Sequence, residues 1–154
     1  MKLFLMRHAT AENKADEGDF ARSLTEHGER EALAAAEFFQ NHKIDKIIVS
    51  AAKRTRQTAE LIQSKINCSK SEIIPELYSS SEETIIEIIS NQDDKDQAII
   101  VIAHNPGIFK ASLNLLNQDS PEYEALAEKG MLPANIVFLD FPDLKHWKEI
   151  MLKF

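Results

Sequence analysis

Two side chains suited to phosphate chemistry stand next to each other near the start of the chain. The stretch "MKLFLMRHAT" is an apolar run that ends in Arg7 and His8. A second stretch, "AIIVIAHNPGIF", has the same shape and ends its apolar run at His104. A third apolar run reaches Ser50 and is followed by "AAKRTRQT", which supplies Arg54 and Arg56. Alone, each piece says little. A single His is more often a surface or structural residue than a catalyst, and an Arg beside a strand is more often an ion-pair or rim residue. Together they offer an imidazole nucleophile, a second imidazole and at least two guanidiniums. Neutral imidazole can attack phosphorus and form a covalent intermediate. Guanidinium forks match phosphate oxygens and keep their charge. Phosphoryl transfer needs mainly positioning and charge stabilisation, which this set could supply. Asn105 as N-cap and Pro106 as first helical residue would start a helix directly after His104, with its positive end toward a phosphate.

Other phosphate chemistries lack their residues. Gly occurs only four times and no Walker A loop is present. Cys68 has no Arg six residues on, so a cysteine-phosphatase loop is absent. The Asp94-Lys95-Asp96 pair precedes a strand instead of following one, which argues against an aspartyl-phosphate enzyme. No H-E-x-x-H or similar metal-ligand spacing occurs.

The elements that must position these residues follow from hydrophobic periodicity. Strands are expected at 3–6, 46–49, 73–77, 98–103 and 136–141. The run "AIIVIA" is almost wholly apolar, as in a strand covered on both faces. Between the strands lie amphipathic helices. Ala32, Ala35, Ala36 and Phe39 mark one, with Thr25 as N-cap. Ala59, Ile62 and Ile66 mark a second. Ile85, Ile88 and Ile89 mark a third, begun by Ser80 with Glu83 three residues on as a capping box. Ile108, Ala111, Ser112 and Leu115 mark a fourth. The polar segment 117–133 is expected to hold one short helix, with Ser120 as N-cap, Pro121 at its first position and Gly130 past its end. Strand–helix alternation implies an α/β fold: a three-layer α/β/α sandwich on a mostly parallel sheet. Ligands of such sheets sit beyond the carboxyl ends of the strands, where Arg7–His8, Ser50 and His104 all fall. The acidic cluster 93–96 reads as a solvated loop.

The whole chain sets bounds on function. With 154 residues it is expected to form one domain, 1–154, with a real core. A formal net charge of −7 gives no general attraction for nucleic acid, so an anionic substrate must meet a local positive pocket. The lone Cys68 excludes a disulfide framework and a Cys-based zinc site, and suits a reducing cytoplasm. The apolar run 3–6 is too short for a signal peptide or a membrane span, so no membrane partner is expected.

The segments "LMRHATAE", "RSLTEHGE", "VSAAKRTRQTAE" and "IAHNPGI", in this order, resemble the histidine phosphatase superfamily. Within it the chain resembles the small SixA-type phosphohistidine phosphatases, from Met1 to about Phe141. The resemblance implies a phosphoglycerate mutase-like fold with no metal or other cofactor, and no sizeable cap insertion is expected. It implies that His8 is the nucleophile that becomes phosphorylated, with Arg7 gripping the phosphate beside it. In the S-x-x-x-R-x-x-x-T pattern from Ser50 to Thr58, Arg54 is the matching phosphate-binding arginine; Arg56 falls outside it and reads as rim. His104 matches the second family histidine, and Asn105 beside it joins the expected phosphate-binding set. Two departures stand out. The usual R-H-G is R-H-A here, with Ala9 still small. No acid has a matching position: Glu76, Glu82 and Glu83 all lie in "PELYSSSEE", and the general acid is left unassigned.

The expected function is hydrolysis of a phosphomonoester or phosphoramidate through phospho-His8, in first place on a phosphohistidine protein. Two alternatives stay open: a small-metabolite phosphatase or mutase on the same site, and a phosphate-recognition module without catalysis. The remaining histidines have plain roles. His27 reads as surface, His42 as a helix C-terminal residue, and His146 as structural beside Trp147. Phe38 and Phe39 read as core.

Overall fold

The computed structural model describes all residues from Met1 to Phe154 and realises the alternation of strands and helices. The strands are β1 (Lys2–Arg7), β2 (Lys46–Ser50), β3 (Ser71–Ile74), β4 (Ala98–Ala103) and β5 (Ile136–Asp140). The helices are α1 (Glu26–Phe39), α2 (Lys53–Gln63), α3 (Glu82–Ser90), α4 (Gly107–Leu115) and α5 (Pro121–Lys129), with short 3-10 turns at Asp19–Ala21, Pro75–Leu77 and Trp147–Leu152. The sheet order is β3-β2-β4-β1-β5. β1 to β4 run parallel and β5 returns antiparallel beside β1.

Side chains alternate across a strand, so an all-apolar strand feeds two cores at once. Leu3, Leu5, Ile48, Ile99 and Val101 pack on one face against Ile85, Ile86 and Ile89 of α3, Ile108 and Ala111 of α4, and Trp147. Phe4, Met6, Ile47, Val49, Ile100 and Ile102 pack on the other against Ala35, Ala36 and Phe39 of α1 and Ile62 of α2. Helices on both faces of a mostly parallel sheet make the expected three-layer α/β/α sandwich.

The register sets the site. Arg7 pairs with Ala103, and Val49 with Ile102, so β2, β4 and β1 end side by side. Ser50, His104 and His8 therefore emerge from neighbouring strand ends. The loop after His8 is then fastened down. Thr10 N–H donates to Glu31 Oε2 at 2.8 Å, and Thr25 N–H donates to Thr10 O at 3.1 Å. Gly28 makes this possible, because a Cβ there would lie 1.9 Å from Thr10 O. Gly107 serves the opposite wall in the same way: a Cβ would lie 2.2 Å from Ser80 O, so only glycine lets α4 press onto the segment after β3.

Several expectations are met in detail. Thr25 caps α1 through Gly28 N–H at 3.0 Å. Ser120 caps α5 through Tyr123 N–H, Pro121 is its first residue, and Gly130 at φ 69° ends it. Others need correction. The third strand ends at Ile74 instead of residue 77: Pro75 has no N–H for the ladder, and residues 75–77 close a 3-10 turn. The cap of α3 is Ser81, one residue later than expected, and accepts from Thr84 N–H; Ser80 instead donates its hydroxyl to Leu77 O. α4 starts at Gly107, not Pro106, and Asn105 is not its cap. Asn105 spends its side-chain amide on Met131 O at 2.9 Å. Phe39 is buried but Phe38 is 40% exposed. His42 lies against Phe4, Phe38 and Phe138, so aromatic contact and not the helix end sets its place. The acidic cluster is a loop exposed at Asp93 and Lys95, but its other two carboxylates are engaged. Asp94 accepts from His146 and from Trp147 N–H, Asp96 is buried with its carbonyl on Trp147 Nε1 and its carboxylate on Lys70, and the two together pin the C-terminal turn. No helix is long and apolar enough to cross a membrane.

Candidate active site

The aligned ends of β1, β2 and β4 open into a cleft of about 280 Å³, lined by Arg7, His8, Arg54, His104 and Asn105 together with Asp19, Arg22, Tyr78 and Ser79. Every expected site residue is thus brought to one place. Arg56 is exposed on the far side of α2 and does not join them.

Arg54 is the centre of the arrangement. It projects from the first turn of α2 and is only 4% exposed. Its Nε donates to His8 Nε2 at 3.2 Å, and its Nη2 donates to His104 Nδ1 at 3.2 Å. The same guanidinium holds Asp19 through the main-chain oxygen at 2.8 Å and Oδ2 at 3.1 Å. Arginine can only donate, so both imidazole nitrogens facing it carry lone pairs. The other ring nitrogens then carry the protons. His8 Nδ1 donates to Ala9 O at 2.7 Å, and His104 Nε2 donates to Ser50 Oγ at 2.7 Å. These assignments follow from the hydrogen-bond partners.

Burial enforces the neutral state of both rings. His8 is pushed down to about 4, chiefly by burial, and Arg54, Arg7 and Arg22 add to the effect. His104 is pushed down to about 3, again chiefly by burial, then by His8 and Arg54. At neutral pH the cleft therefore holds His8 as neutral imidazole with its Nε2 lone pair on the cleft side. That is the state a nucleophile needs. The rings are 5.2 Å apart between centroids.

Arg7 is the second cation. Its Nη1 donates to Met131 O at 2.9 Å, while its buried Nε has no partner. An orphaned guanidinium N–H costs free energy unless an acceptor arrives, so Arg7 has a donor left for an acceptor in the cleft. Ala9 fits the tight place after His8: it is fully buried and its N–H donates to Thr58 Oγ1 at 3.2 Å. Thr58 in turn donates to Arg54 O at 2.8 Å, so the loop carrying His8 and the helix carrying Arg54 are locked together.

None of Glu76, Glu82 and Glu83 reaches the cleft; Glu82 pairs with Lys110 at 3.7 Å instead. The carboxylate that does line it is Asp19, which sequence reasoning missed. Asp19 sits in an isolated 3-10 turn without periodicity, and nothing in its neighbours marks it. Tyr78 Oη donates to Asp19 Oδ2 at 2.7 Å, and Arg22 Nε donates to Oδ1 at 2.9 Å. With the Tyr78 hydroxyl first and Arg54 and Arg22 beside it, Asp19 is held down to about 2 and is ionised. Arg22 lies inside the segment "RSLTEHGE" but received no role; Tyr78 was missed because the strand was extended past Pro75.

Comparison with known proteins agrees with this geometry. Residues 3–81 match the model of the histidine phosphatase superfamily (branch 1). No curated protein matches the chain by sequence. Among solved structures, a candidate phosphohistidine phosphatase SixA from Agrobacterium tumefaciens is 29% identical over 90% of each chain, with a TM-score of 0.81. Another from Nakamurella multipartitia is 25% identical, covering 97% of this chain and 88% of its own, with a TM-score of 0.77. A candidate alpha-ribazole-5'-P phosphatase from Escherichia coli, 16% identical over 95% of this chain and 93% of its own with a TM-score of 0.69, shares the fold. The match to the superfamily model spans the strand end at Arg7–His8 and the helix that carries Arg54, and the chain belongs to the histidine phosphatase superfamily.

Proposed function

We propose that this chain is a phosphohistidine protein phosphatase that works through a phosphoryl group carried on His8. The observation that supports it most is the single Arg54 guanidinium that faces the lone pairs of His8 Nε2 and His104 Nδ1 at once. A phosphoryl group entering between the rings would meet this fork, the free Nε of Arg7 and the carboxamide of Asn105 at the rim. His8 Nε2 attacks phosphorus, and the bond from phosphorus to the substrate breaks. The ring of phospho-His8 is then cationic, with its Nδ1 proton still on Ala9 O, which makes the ring a good leaving group. Water attacks next, the P–N electron pair returns to Nε2, and dihydrogen phosphate leaves neutral His8 behind. Arg7 and Arg54 hold the charge that develops on the phosphoryl oxygens, and neutral His104 positions the Arg54 fork through its Nδ1 lone pair.

Two features favour a phosphoramidate on a protein. The connections between strands hold the five helices of the sandwich and short turns, which fits one domain over residues 1–154 with no sizeable cap insertion. No carboxylic acid is poised to protonate an alkoxide, since Asp19 is ionised. An alcohol leaving group needs that proton, and a placed acid contributes about 10²–10⁴-fold. Imidazole leaves neutral once its ring is protonated, near neutral pH. The reading includes a cytoplasmic setting, a place in phosphoryl signalling and no need for a metal ion, because the arginines already supply charge and donors. The deciding experiment compares initial rates on phosphohistidine peptides, phosphoserine peptides and sugar phosphates at one pH, with and without a chelator. The phosphohistidine peptides should show the highest kcat/KM. A sugar phosphate in first place would hand the site to the small-metabolite reading, and loss of activity with chelator would end the metal-free one.

A further inference from the structure

Asp19 is the only carboxylate on the cleft wall, and its surroundings define what it can accept. A carboxylate has about four acceptor positions. Oδ2 takes two donors, Tyr78 Oη at 2.7 Å and Arg54 Nη2 at 3.1 Å. Oδ1 takes one, Arg22 Nε at 2.9 Å. One position on Oδ1 stays open, and the side chain is 53% exposed at the mouth of the cleft. The group is held firmly, because Arg54 grips its main-chain oxygen as well. The same Arg54 fork carries His8 Nε2, so the carboxylate and the attacking nitrogen belong to one rigid frame.

We propose that Asp19 is a specificity-determining residue whose open Oδ1 position accepts a hydrogen bond from the protonated ring nitrogen of a phosphohistidine substrate. The inference rests on the phosphohistidine reading above and names the residue that makes it selective. The ring of the substrate takes a proton from solvent on the nitrogen that does not carry phosphorus. His8 Nε2 forms the new bond to phosphorus, the old P–N bond breaks, and its electron pair stays on the departing nitrogen. The ring leaves as neutral imidazole with its proton still on the far nitrogen, so no proton is delivered to the atom that departs. An ionised carboxylate beside that far N–H stabilises the cationic ring. It offers nothing to an alkoxide, which needs a donor, and repels an anionic one.

The groups facing Asp19 keep it ionised across the working range. They are Arg22 on its own segment, Arg54 from α2, Tyr78 from the turn after β3, and His104 from the end of β4, which is neutral. The test uses the full chain, with a phosphohistidine peptide and p-nitrophenyl phosphate as probes. The nitrophenolate of the second leaves without a proton. In Asp19→Asn the ratio of kcat/KM for the phosphohistidine peptide over p-nitrophenyl phosphate should fall tenfold or more. The alkaline limb of the kcat profile on phosphohistidine, which reports the bound complex, should also move to lower pH, because no carboxylate then holds the ring proton. Tyr78→Phe, which frees one anchor of the carboxylate, should lower the ratio in the same direction by less. Equal losses on both substrates with an unmoved alkaline limb would overturn the proposal and leave Asp19 as a support for Arg54. Wild-type preference for a sugar phosphate is a separate result: it would remove the phosphohistidine reading itself, and this inference with it.

Discussion

Replacing Arg54 tests the site where its geometry is most demanding. The guanidinium reaches His8 Nε2 and His104 Nδ1, each at 3.2 Å, from a position that is 4% exposed. Removing one preorganised donor from a site of this kind costs about 2.7–4 kcal/mol, or about 10²–10³ in kcat. Arg54→Ala removes a fork that serves two neighbours, so its loss should reach the upper part of that range. Arg54→Lys keeps a charge but places one nitrogen where three stood, and cannot span both rings. It should recover about tenfold over the alanine variant and no more. A second signature follows from charge. Arg54 is among the causes that hold His8 and His104 low, so without it both rings rise. The acid limb of kcat/KM, which reports the free enzyme, should then move to higher pH. Arg56 lies two residues on, about 200° round the helix, and is exposed; Arg56→Ala should change the rate less than threefold. The assay is kcat/KM on one phosphohistidine peptide from pH 4 to 9 for all four proteins, with circular dichroism to confirm the fold. Equal losses at Arg54 and Arg56, or an Arg54→Ala enzyme within tenfold of wild type, would refute the assignment.

Three further outcomes are expected. A phosphoryl donor should leave an acid-labile, alkali-stable label on wild type and none on His8→Ala, and label on the variant would refute the nucleophile. Ser50→Ala removes the acceptor of the His104 Nε2 proton inside a buried strand end. Orphaning a buried donor costs about 1–3 kcal/mol, so urea titration should show a loss of that size together with a fall of about tenfold or more in kcat. Stability should also depend on acid in a defined direction. His8 and His104 titrate at about 4 and about 3 in the folded chain, and near 6.5 once unfolded. Below about pH 6.5 the unfolded chain binds more protons, so its free energy drops relative to the folded one. The stability these rings allow is complete above about pH 6.5 and is lost as pH falls toward about 4. Denaturant midpoints at pH 7.5, 6 and 5 should decline in that order, and the decline should shrink in His8→Gln.

Much of this was legible in the sequence because strands buried on both faces are written as unbroken apolar runs. "LFLM", "IIV" and "AIIVIA" mark three neighbouring strands, and the polar residues at their ends build the candidate site: His8 and His104 line the cleft, and Ser50 holds His104. Helix caps were legible where a side chain and its N–H partner are three residues apart, as at Thr25 and Ser120. The failures share a cause. Asp19, Arg22 and Tyr78 lie on irregular chain that no periodicity describes, and they meet Arg54 only through tertiary contact. Asp94 and Asp96 looked like solvated charge, since nothing local shows that Trp147, more than fifty residues on, folds back to use them. Some local signals were misread as well: Pro75, with no N–H, should have ended the third strand, and the starts of α3 and α4 each lie one residue later than their cap patterns suggest.

The electrostatics of the cleft explain how an acidic chain can receive an anion. The net charge of −7 belongs to the surface as a whole. Within the cleft the charged side chains are Arg7, Arg22 and Arg54 against Asp19, and burial keeps His8 and His104 neutral. Three guanidiniums against one carboxylate leave two positive charges, which a phosphoryl dianion neutralises. If burial did not suppress the histidines, their protons would add charge but remove the lone pair that attacks. If Asp19 were absent, the cleft would hold one more net positive charge and would favour any phosphate ester by its anionic group alone. On the proposed reading the arrangement separates two tasks: the arginines bind what every substrate shares, and the carboxylate at the mouth responds to the group that leaves.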